Sequence, residues 1–286
     1  MNKHFLTLVV TAALATLAQA ESSVRLTGVH LCCKSCVKGA EKAVATAIDI
    51  GYRLIDTAEN YENERGVGRG LRATGVPREE LFVTTKFNRR WHSVDGAREA
   101  FARSAERLGV DYIDLLLVHW PNPDQGRYVQ AFEGIVALLR EGLVRAAGTS
   151  NFTPAQLQEV IDATGLIPDV HQIQLTPYVA QVSWREFAAE HGIVVEGYSP
   201  LWRGRDLLDE PVVAEAARAH GKTPGQIVLR WHVQLGVVPV PKSADPQRQA
   251  ENLAVFDFAL TDDEMAALSA LDRGSELATD PATFGH

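Results

Sequence analysis

The chain has 286 residues, of which 46% are hydrophobic and 22% are charged, a composition typical of a folded globular protein. Its formal net charge of −8 argues against general nucleic-acid binding, because phosphate neutralisation requires clustered lysines and arginines. The length suits one large barrel or two small domains, and a small molecule is the better candidate for a substrate.

The first twenty residues have the features of a cleavable secretory signal. Lys3 provides a basic start, residues 5–17 form an apolar run, and Ala18 and Ala20 are small residues before a predicted cleavage after Ala20. A buried helix is the alternative, although the segment has no clear polar face. The run is too short to span a membrane. We therefore predict a leader over residues 1–20 and a single domain over residues 22–286.

After residue 23, short apolar or β-branched runs alternate with longer segments of helical period. The predicted strands are 24–31, 52–56, 81–86, 113–119, 144–150, 170–174, 193–198 and 237–242. The predicted helices are 37–50, 94–108, 128–141, 154–163, 183–191, 211–220 and 224–235. This alternation is typical of a parallel sheet, and eight strands suggest closure into an α/β fold of the (β/α)8 TIM-barrel type.

Two of the helices carry clear start signals. Thr153 precedes Pro154, and Thr223 precedes Pro224, so that a hydroxyl stands at the N-cap and a proline in the first turn.

An open doubly wound sheet would show the same alternation. That fold would require a glycine-rich phosphate turn after its first strand, and no G-x-G-x-x-G pattern occurs there. The glycine cluster over residues 66–70 does not directly follow a strand, and we interpret it as a close helix-packing surface.

Polar residues interrupt the apolar runs mainly at their carboxyl ends. These residues are Asp56, Lys86, His119, Ser150, Gln174, Tyr198 and Lys242. In a barrel of parallel strands the carboxyl ends meet at one mouth, where such folds place their active sites.

Four residues near these ends suit the reduction of a carbonyl group. Tyr61 could supply the proton, since an ammonium near a phenol lowers its pKa from about 10, and Lys86 is the candidate ammonium. Asp56 could keep Lys86 charged, and His119 could hydrogen-bond the substrate oxygen or orient Tyr61. Taken singly, each of these residues also has an explanation without function, as a cap, a solvated lysine or a structural histidine.

The local contexts of these residues resemble the catalytic tetrad segments of the aldo-keto reductase superfamily. The segments are Gly51-Tyr52-Arg53-Leu54-Ile55-Asp56-Thr57-Ala58-Glu59-Asn60-Tyr61, Thr84-Thr85-Lys86 and Leu117-Val118-His119-Trp120-Pro121. The resemblance extends from about Ala40 to the carboxyl terminus. It implies reduction of aldehydes or ketones by hydride transfer, with Tyr61 as proton donor and Asp56, Lys86 and His119 as its partners.

The same resemblance implies a set of cofactor-binding positions. Ser150, Asn151 and Gln172 match residues that hold the nicotinamide carboxamide, Tyr198 matches the ring that stacks on the nicotinamide, and Ser199 and Leu201 would approach the pyrophosphate. Lys242, Ser243, Arg248, Glu251 and Asn252 resemble the adenosine 2′-phosphate and adenine site. Because Lys242 and Arg248 could form charge-assisted hydrogen bonds to a phosphate, we expect NADPH rather than NADH. Without the other motifs, these two residues would be interpreted as a solvated loop and helix start.

Three tryptophans follow strand ends. Trp91 and Trp120 are candidates for lining the substrate pocket, and Trp202 occupies a similar position. Ordinary packing between barrel elements is an equally good explanation. The natural carbonyl substrate is not defined by these residues.

The amino-terminal part departs from the family pattern, since the β-hairpin that closes the barrel bottom and the glycine-rich turn after the first strand are not visible. The segment over residues 22–44, with Cys32, Cys33 and Cys36, instead resembles the first βα unit of a heavy-metal-associated domain. Thiols at Cys33 and Cys36 could bind a soft metal. This stretch offers only three thiols, which argues against a metal site, so we predict none. The chain resembles a fusion with an atypical first βα unit.

Two alternative functions remain open from the sequence. One is a secreted metal-binding protein that uses Cys33 and Cys36, and the other is a non-catalytic NADPH-binding sensor. The leader indicates a secreted or periplasmic protein, whereas the need for NADPH indicates the cytoplasm, so localisation stays open. We expect a monomer, although no sequence pattern defines the oligomeric state.

Overall fold

The computed structural model describes residues 28–30, 37–204 and 206–284. The predicted leader over residues 1–20, and Cys32, Cys33 and Cys36 of the atypical first βα unit, lie outside the described residues. Within the described part of the chain, no helix combines the length and apolar character needed to cross a membrane.

Eight parallel strands form one sheet whose spatial order follows the chain. They are β1 (Gly28–His30), β2 (Leu54–Asp56), β3 (Phe82–Phe87), β4 (Ile113–Val118), β5 (Val144–Ser150), β6 (Val170–Gln174), β7 (Val194–Tyr198) and β8 (Val238–Val240). β8 lies against β1, so the sheet curls round until its two edges meet. This order confirms the (β/α)8 barrel and rules out the open doubly wound alternative, whose strand order reverses.

Ten α-helices accompany the strands in the described part of the chain. They are α1 (Val37–Ile50), α2 (Glu64–Ala73), α3 (Val94–Leu108), α4 (Tyr128–Arg140), α5 (Pro154–Thr164), α6 (Val182–His191), α7 (Pro211–His220), α8 (Pro224–Gln234), α9 (Pro246–Leu253) and α10 (Asp262–Ser269). The seven helices predicted from periodicity are present with boundaries that differ by at most one residue. Of the other three, α2 contains the glycine cluster that we interpreted as a helix-packing surface, and α9 and α10 were not predicted as helices, because both are short and largely polar.

The predicted helix starts at Thr153 and Thr223 are confirmed. Each threonine hydroxyl accepts a hydrogen bond from the backbone N–H three residues later, at 3.3 Å in both cases. The side chains of Gln156 and Gln226 in turn accept from the threonine N–H groups at 2.9 Å. Both are capping boxes, in which two otherwise unpaired helix-end donors are satisfied.

The core lies in two places, as expected for a barrel. Between strands and helices, apolar faces such as those of Phe132 and Ile135 on α4 are fully buried. Inside the barrel, Leu115 and Leu117 of β4 pack with Ala146 of β5. Because strands of this sheet are covered on both faces, most of their residues are apolar, and the polar residues inside them, such as Asp114 on β4 and Glu196 on β7, are buried.

The glycine cluster confirms the interpretation as a helix-packing surface. Gly66, Gly68 and Gly70 are buried on α2. A Cβ at Gly68 would lie 1.9 Å from the backbone oxygen of Leu108 on α3, and one at Gly70 would lie 2.7 Å from the backbone oxygen of Glu41 on α1. The glycines therefore allow α2 to approach the backbones of both neighbouring helices.

Replacing Gly68 by alanine should lower the free energy of unfolding by about 1–3 kcal/mol, because the backbone of Leu108 cannot move aside cheaply. Gly225 on α8 is the matched control, since its nearest neighbours to an added Cβ are 3.8 Å away. Gly225→Ala should be neutral or stabilising by up to about 1 kcal/mol. Urea unfolding of both variants measures this difference, and equal stability of the two would contradict the assigned contact.

Candidate active site

Three predicted site residues reach the mouth because they end neighbouring strands. Asp56 is the last residue of β2, Lys86 is the next to last of β3, and His119 directly follows β4. Asp56 and Lys86 are completely buried, and His119 is 9% exposed. Parallel pairing of β2 with β3 and of β3 with β4 aligns these carboxyl ends.

Lys86 and Asp56 form a bidentate ion pair. The Lys86 Nζ donates to Asp56 Oδ1 at 2.7 Å and to Oδ2 at 2.8 Å, and it also donates to the backbone oxygen of Thr57 at 3.0 Å. All three ammonium hydrogens can therefore be satisfied inside the barrel. Removing these groups from water is costly, and such a pair is maintained only with this degree of hydrogen bonding.

Tyr61 lies directly beside this pair. It ends the short helical turn Glu59–Tyr61 that follows β2. The Lys86 Nζ is 5.3 Å from the centre of the Tyr61 ring, and the His119 ring is 5.9 Å away at an interplanar angle of 83°. The four residues expected to carry catalysis are thus brought together, although 63 positions separate the first from the last.

A second group of polar residues adjoins His119. The Asn151 Nδ2 donates to the backbone oxygen of His119 at 3.1 Å and to the Ser150 Oγ at 2.9 Å. The Tyr198 hydroxyl donates to the Asn151 Oδ1 at 2.9 Å, and burial raises the pKa of Tyr198, so this phenol stays protonated. β5 and β7 are thereby connected across the mouth.

Two of these positions have a left-handed backbone. Asn151 has a φ of 64° and Ser199 has a φ of 53°, each directly after a strand end. Non-glycine residues in this region cost free energy and are frequent where function constrains the chain. At both positions the chain turns sharply out of the barrel into the mouth.

Gln172 connects the ion pair to a further carboxyl group. Its Nε2 donates to Asp56 Oδ2 at 2.9 Å and to Glu196 Oε2 at 2.8 Å. Glu196 is only 2% exposed. Burial and the nearby Asp56 charge raise its pKa to about 7, against the opposing effects of Gln172 and Lys86.

The predicted phosphate-binding segment follows β8. Lys242 and Arg248 are exposed, and Ser243 is buried with its hydroxyl bound to the backbone of Asp245. Asp245 caps α9 by accepting from the Arg248 N–H at 2.9 Å. On α9, Glu251 accepts from Gln247 at 2.8 Å, and Asn252 is buried.

The two predicted substrate tryptophans have different surroundings. The Trp91 indole N–H donates to both carboxylate oxygens of Glu59, at 2.9 and 3.0 Å, which ties this ring to the turn that carries Tyr61. Trp120 is buried beside His119 and contacts the Phe284 ring at a centroid distance of 4.8 Å.

The carboxyl-terminal segment also reaches the mouth. The backbone N–H and the hydroxyl of Thr279 both donate to the Gln174 Oε1 at 3.1 Å. A cavity of about 150 Å³ lies there, lined by Gln174, Ser199, Trp202, Arg203, Leu277 and Thr279. Leu201, which lies between Ser199 and Trp202 in the sequence, is half-buried.

These features define a barrel oxidoreductase site, and comparison with known proteins gives its family. Residues 38–273 match the Aldo/keto reductase family, and the chain belongs to it. This is a family of NADP-dependent oxidoreductases that act on carbonyl groups. The predicted membership of this family is thereby confirmed, as is the expected cofactor.

Two curated relatives and one solved structure illustrate the similarity. The 2,5-diketo-D-gluconic acid reductase B of Corynebacterium sp. (strain SHS752001) is 51% identical over 84% of this chain and 87% of its own length. The methylglyoxal reductase DkgA of Salmonella typhimurium is 46% identical over 85% of this chain and 88% of its own. The crystal structure of a Gox0644 mutant in complex with NADPH has a TM-score of 0.86 and 38% identity, covering 91% of this chain and 94% of that one.

The donor set of this chain fits such a cofactor. Ser150, Asn151 and Gln172 can both donate and accept, as a carboxamide requires. Both hydrogen bonds of Gln172 use its amide nitrogen, and its oxygen can accept from the carboxamide. Lys242 and Arg248 expose cations suited to a phosphate. Among the described residues, no group of histidine, cysteine or acidic side chains could hold a metal ion.

Sequence reasoning missed two features of this site. Glu59 was not predicted to position Trp91, and Glu196 was not predicted to adjoin Gln172. A signal for Glu196 exists, because a carboxyl group stands inside the apolar run of β7 two residues before Tyr198, on the same side of the strand. Nothing local in the sequence indicates the contact between Trp91 and Glu59, which lie 32 positions apart.

Asp56→Asn should lower the free energy of unfolding by about 3–5 kcal/mol, since it leaves the buried Lys86 ammonium without its carboxylate. Asp124→Asn is the matched control, because the Asp124 side chain, which pairs with Arg89, is 49% exposed and the pair should contribute about 1 kcal/mol or less. Urea unfolding near pH 7 checks both. The double variant Asp56→Asn with Lys86→Met should recover part of the loss, and a wild-type stability of Asp56→Asn alone would refute the strength assigned to this pair.

Proposed function

We propose that this protein reduces aldehydes or ketones to alcohols with NADPH, and that Tyr61 donates the proton. The observation that carries the proposal is the position of Tyr61, whose ring lies 5.3 Å from the Nζ of the buried Lys86 and 5.9 Å from the His119 ring. The bound cofactor would supply the hydride that reaches the carbonyl carbon.

The tetrad residues would supply the proton and hold the substrate oxygen. As the carbonyl carbon gains the hydride, negative charge develops on the oxygen, and the Tyr61 hydroxyl would transfer its proton there. The Lys86 ammonium favours the phenolate that this transfer leaves behind. Asp56 keeps the ammonium oriented, and the imidazole of His119 is placed to hydrogen-bond the same oxygen.

The second polar group would hold the nicotinamide end of the cofactor. Ser150, Asn151 and Gln172 would bind the carboxamide, and the Tyr198 ring would stack on the nicotinamide. The hydrogen bond from Tyr198 to Asn151 supports this assignment, because it holds the two side chains next to each other. Ser199 and Leu201 would approach the pyrophosphate, where the cavity beside Ser199 offers room.

The adenosine end would bind the segment after β8. Lys242, Ser243 and Arg248 would hold the 2′-phosphate, with Glu251 and Asn252 near the adenine. Exposed cations and the amino end of α9 both favour a phosphate in this region.

For the substrate, the relatives suggest a starting panel. Their names indicate action on 2,5-diketo-D-gluconic acid and on methylglyoxal, both of which are dicarbonyls. Trp120 adjoins His119 and is our candidate for lining the pocket, whereas the bonding of Trp91 to Glu59 supports a positioning role for Trp91. We propose small polar dicarbonyls as the first compounds to assay.

Tyr61→Phe should reduce carbonyl-dependent oxidation of NADPH by roughly 10²–10⁴-fold, because it removes the proton donor while the ring remains. NADPH affinity should stay within roughly threefold, as this hydroxyl is assigned to proton transfer rather than to cofactor binding. Tyr112→Phe, at the opposite end of β4, is the control and should leave the rate unchanged. Normal turnover of Tyr61→Phe would show the mechanism to be wrong, and NADPH binding without any wild-type turnover would favour the sensor.

Arg248→Ala should weaken NADPH binding by roughly tenfold or more and leave NADH binding unchanged, since one charge-assisted hydrogen bond contributes about 1.5–3 kcal/mol. Arg218→Ala replaces an exposed arginine on α7 and serves as the charge-matched control. Tryptophan fluorescence titration with both cofactors gives the two dissociation constants. Equal weakening for NADPH and NADH would argue against a 2′-phosphate contact.

A further inference from the structure

A continuous chain of hydrogen bonds crosses the interior of the barrel behind Tyr61. It runs from Lys86 on β3 to Asp56 on β2, then to Gln172 on β6 and to Glu196 on β7, with donor to acceptor distances of 2.7 to 2.9 Å. None of the four side chains is part of the surface, since each residue is at most 2% exposed. Glu196 is the member to which the proposed reaction gives no role.

The charges along this chain do not balance when every acid is ionised. Among the described residues, the cation that acts on Glu196 is Lys86, and Lys86 already binds both oxygens of Asp56. Other buried carboxylates have cations of their own. Glu64 binds Arg107 at 2.6 Å, and Asp114 binds both Arg78 and Arg145. When Glu196 loses its proton, the four hydrogen-bonded side chains together therefore carry a net charge of −1.

The other groups around Glu196 do not compensate for this charge. β6 places Gln172 opposite Glu196 in register, and β8 places Val238 there. The nearby imidazoles of His171 and His232 bind Thr149 and two backbone oxygens. Burial lowers the pKa of His171 to about 4 and lowers that of His232 as well, which favours the neutral imidazoles near pH 7; a neutral His232 ring donates to only one of the two backbone oxygens that it faces.

We propose that Glu196 is a positioning residue for the reduction, linked through Gln172 to the Lys86 and Asp56 pair, and that its protonation sets the net charge of this network behind Tyr61. This inference rests on the proposed function. With Glu196 protonated, the pair is neutral overall and Lys86 favours the phenolate most strongly. With Glu196 ionised, an added negative charge in a low-dielectric interior makes Tyr61 hold its proton more tightly. Reduction then slows before Tyr61 itself titrates.

The pKa of Glu196, raised from 4.5 to about 7, places this change in the neutral range. The raised value also has a consequence for stability that does not involve catalysis. Between pH 4.5 and pH 7 the unfolded chain has lost the Glu196 proton and the folded protein retains it. Its contribution to the unfolding free energy therefore falls as pH rises through this interval. A glutamine at this position cannot show that fall.

The test compares wild-type protein with Glu196→Gln, which keeps an oxygen to accept from Gln172 and removes the charge. Wild-type kcat/KM for reduction should decrease by roughly threefold to tenfold around pH 7, and Glu196→Gln should lack this step and remain active at higher pH. In parallel, urea unfolding should show the variant gaining stability relative to wild type from pH 4.5 to pH 7. Glu196→Met, with no hydrogen bond to Gln172, should also lack the step if charge is responsible.

Glu64→Gln is the control, since it removes an equally buried carboxylate that Arg107 already neutralises, and it should retain the step near pH 7. A step that persists in Glu196→Gln would overturn the proposal, as would the absence of a pH-dependent stability difference. The result also separates this inference from the assignment of Tyr61. Normal turnover of Tyr61→Phe together with loss of the step in Glu196→Gln would reject Tyr61 as donor and retain Glu196 as the group that sets the charge.

Discussion

The ion pair between Lys86 and Asp56 is the interaction on which the site depends. A buried ammonium is stable only where a carboxylate and further acceptors surround it, and the barrel provides both by aligning the ends of β2 and β3. This requirement determines the orientation of the Lys86 side chain and therefore the position of its positive charge. Tyr61 and His119 lie beside that charge, and the proposed proton transfer depends on this position.

The scaffold explains how such a pair can be held. Gly68 and Gly70 allow α2, the helix that follows Tyr61, to approach the backbones of α1 and α3 closely. Thr85 on β3, the neighbour of Lys86, donates to Glu64 at the start of the same helix at 2.7 Å. Packing on the outside of the sheet therefore restricts the strand whose inner face carries the ammonium.

The polar network extends beyond the residues assigned to the chemistry. Gln172 has two proposed functions in this arrangement, because its nitrogen binds Asp56 and Glu196 while its oxygen can face a carboxamide. The proposed cofactor contact and the charge behind Tyr61 are consequently connected by one side chain. A change at Gln172 would alter both, whereas a change at Glu196 acts on the charge and spares the carboxamide contact.

The sequence by itself determined the barrel, the strand ends and the identities of Asp56, Lys86 and His119, because hydrophobic periodicity and polar strand ends are local properties. The proposed role of Tyr61 came from the chemistry of proton donation together with motif resemblance, and that of the NADPH segment came from motif resemblance. Only the tertiary structure showed that Glu196 contacts Gln172 and that Trp91 contacts Glu59. The physical reason is that a carboxyl group in an apolar strand has no local signal for its partner. Its hydrogen bonds and its proton affinity are decided by side chains from other strands.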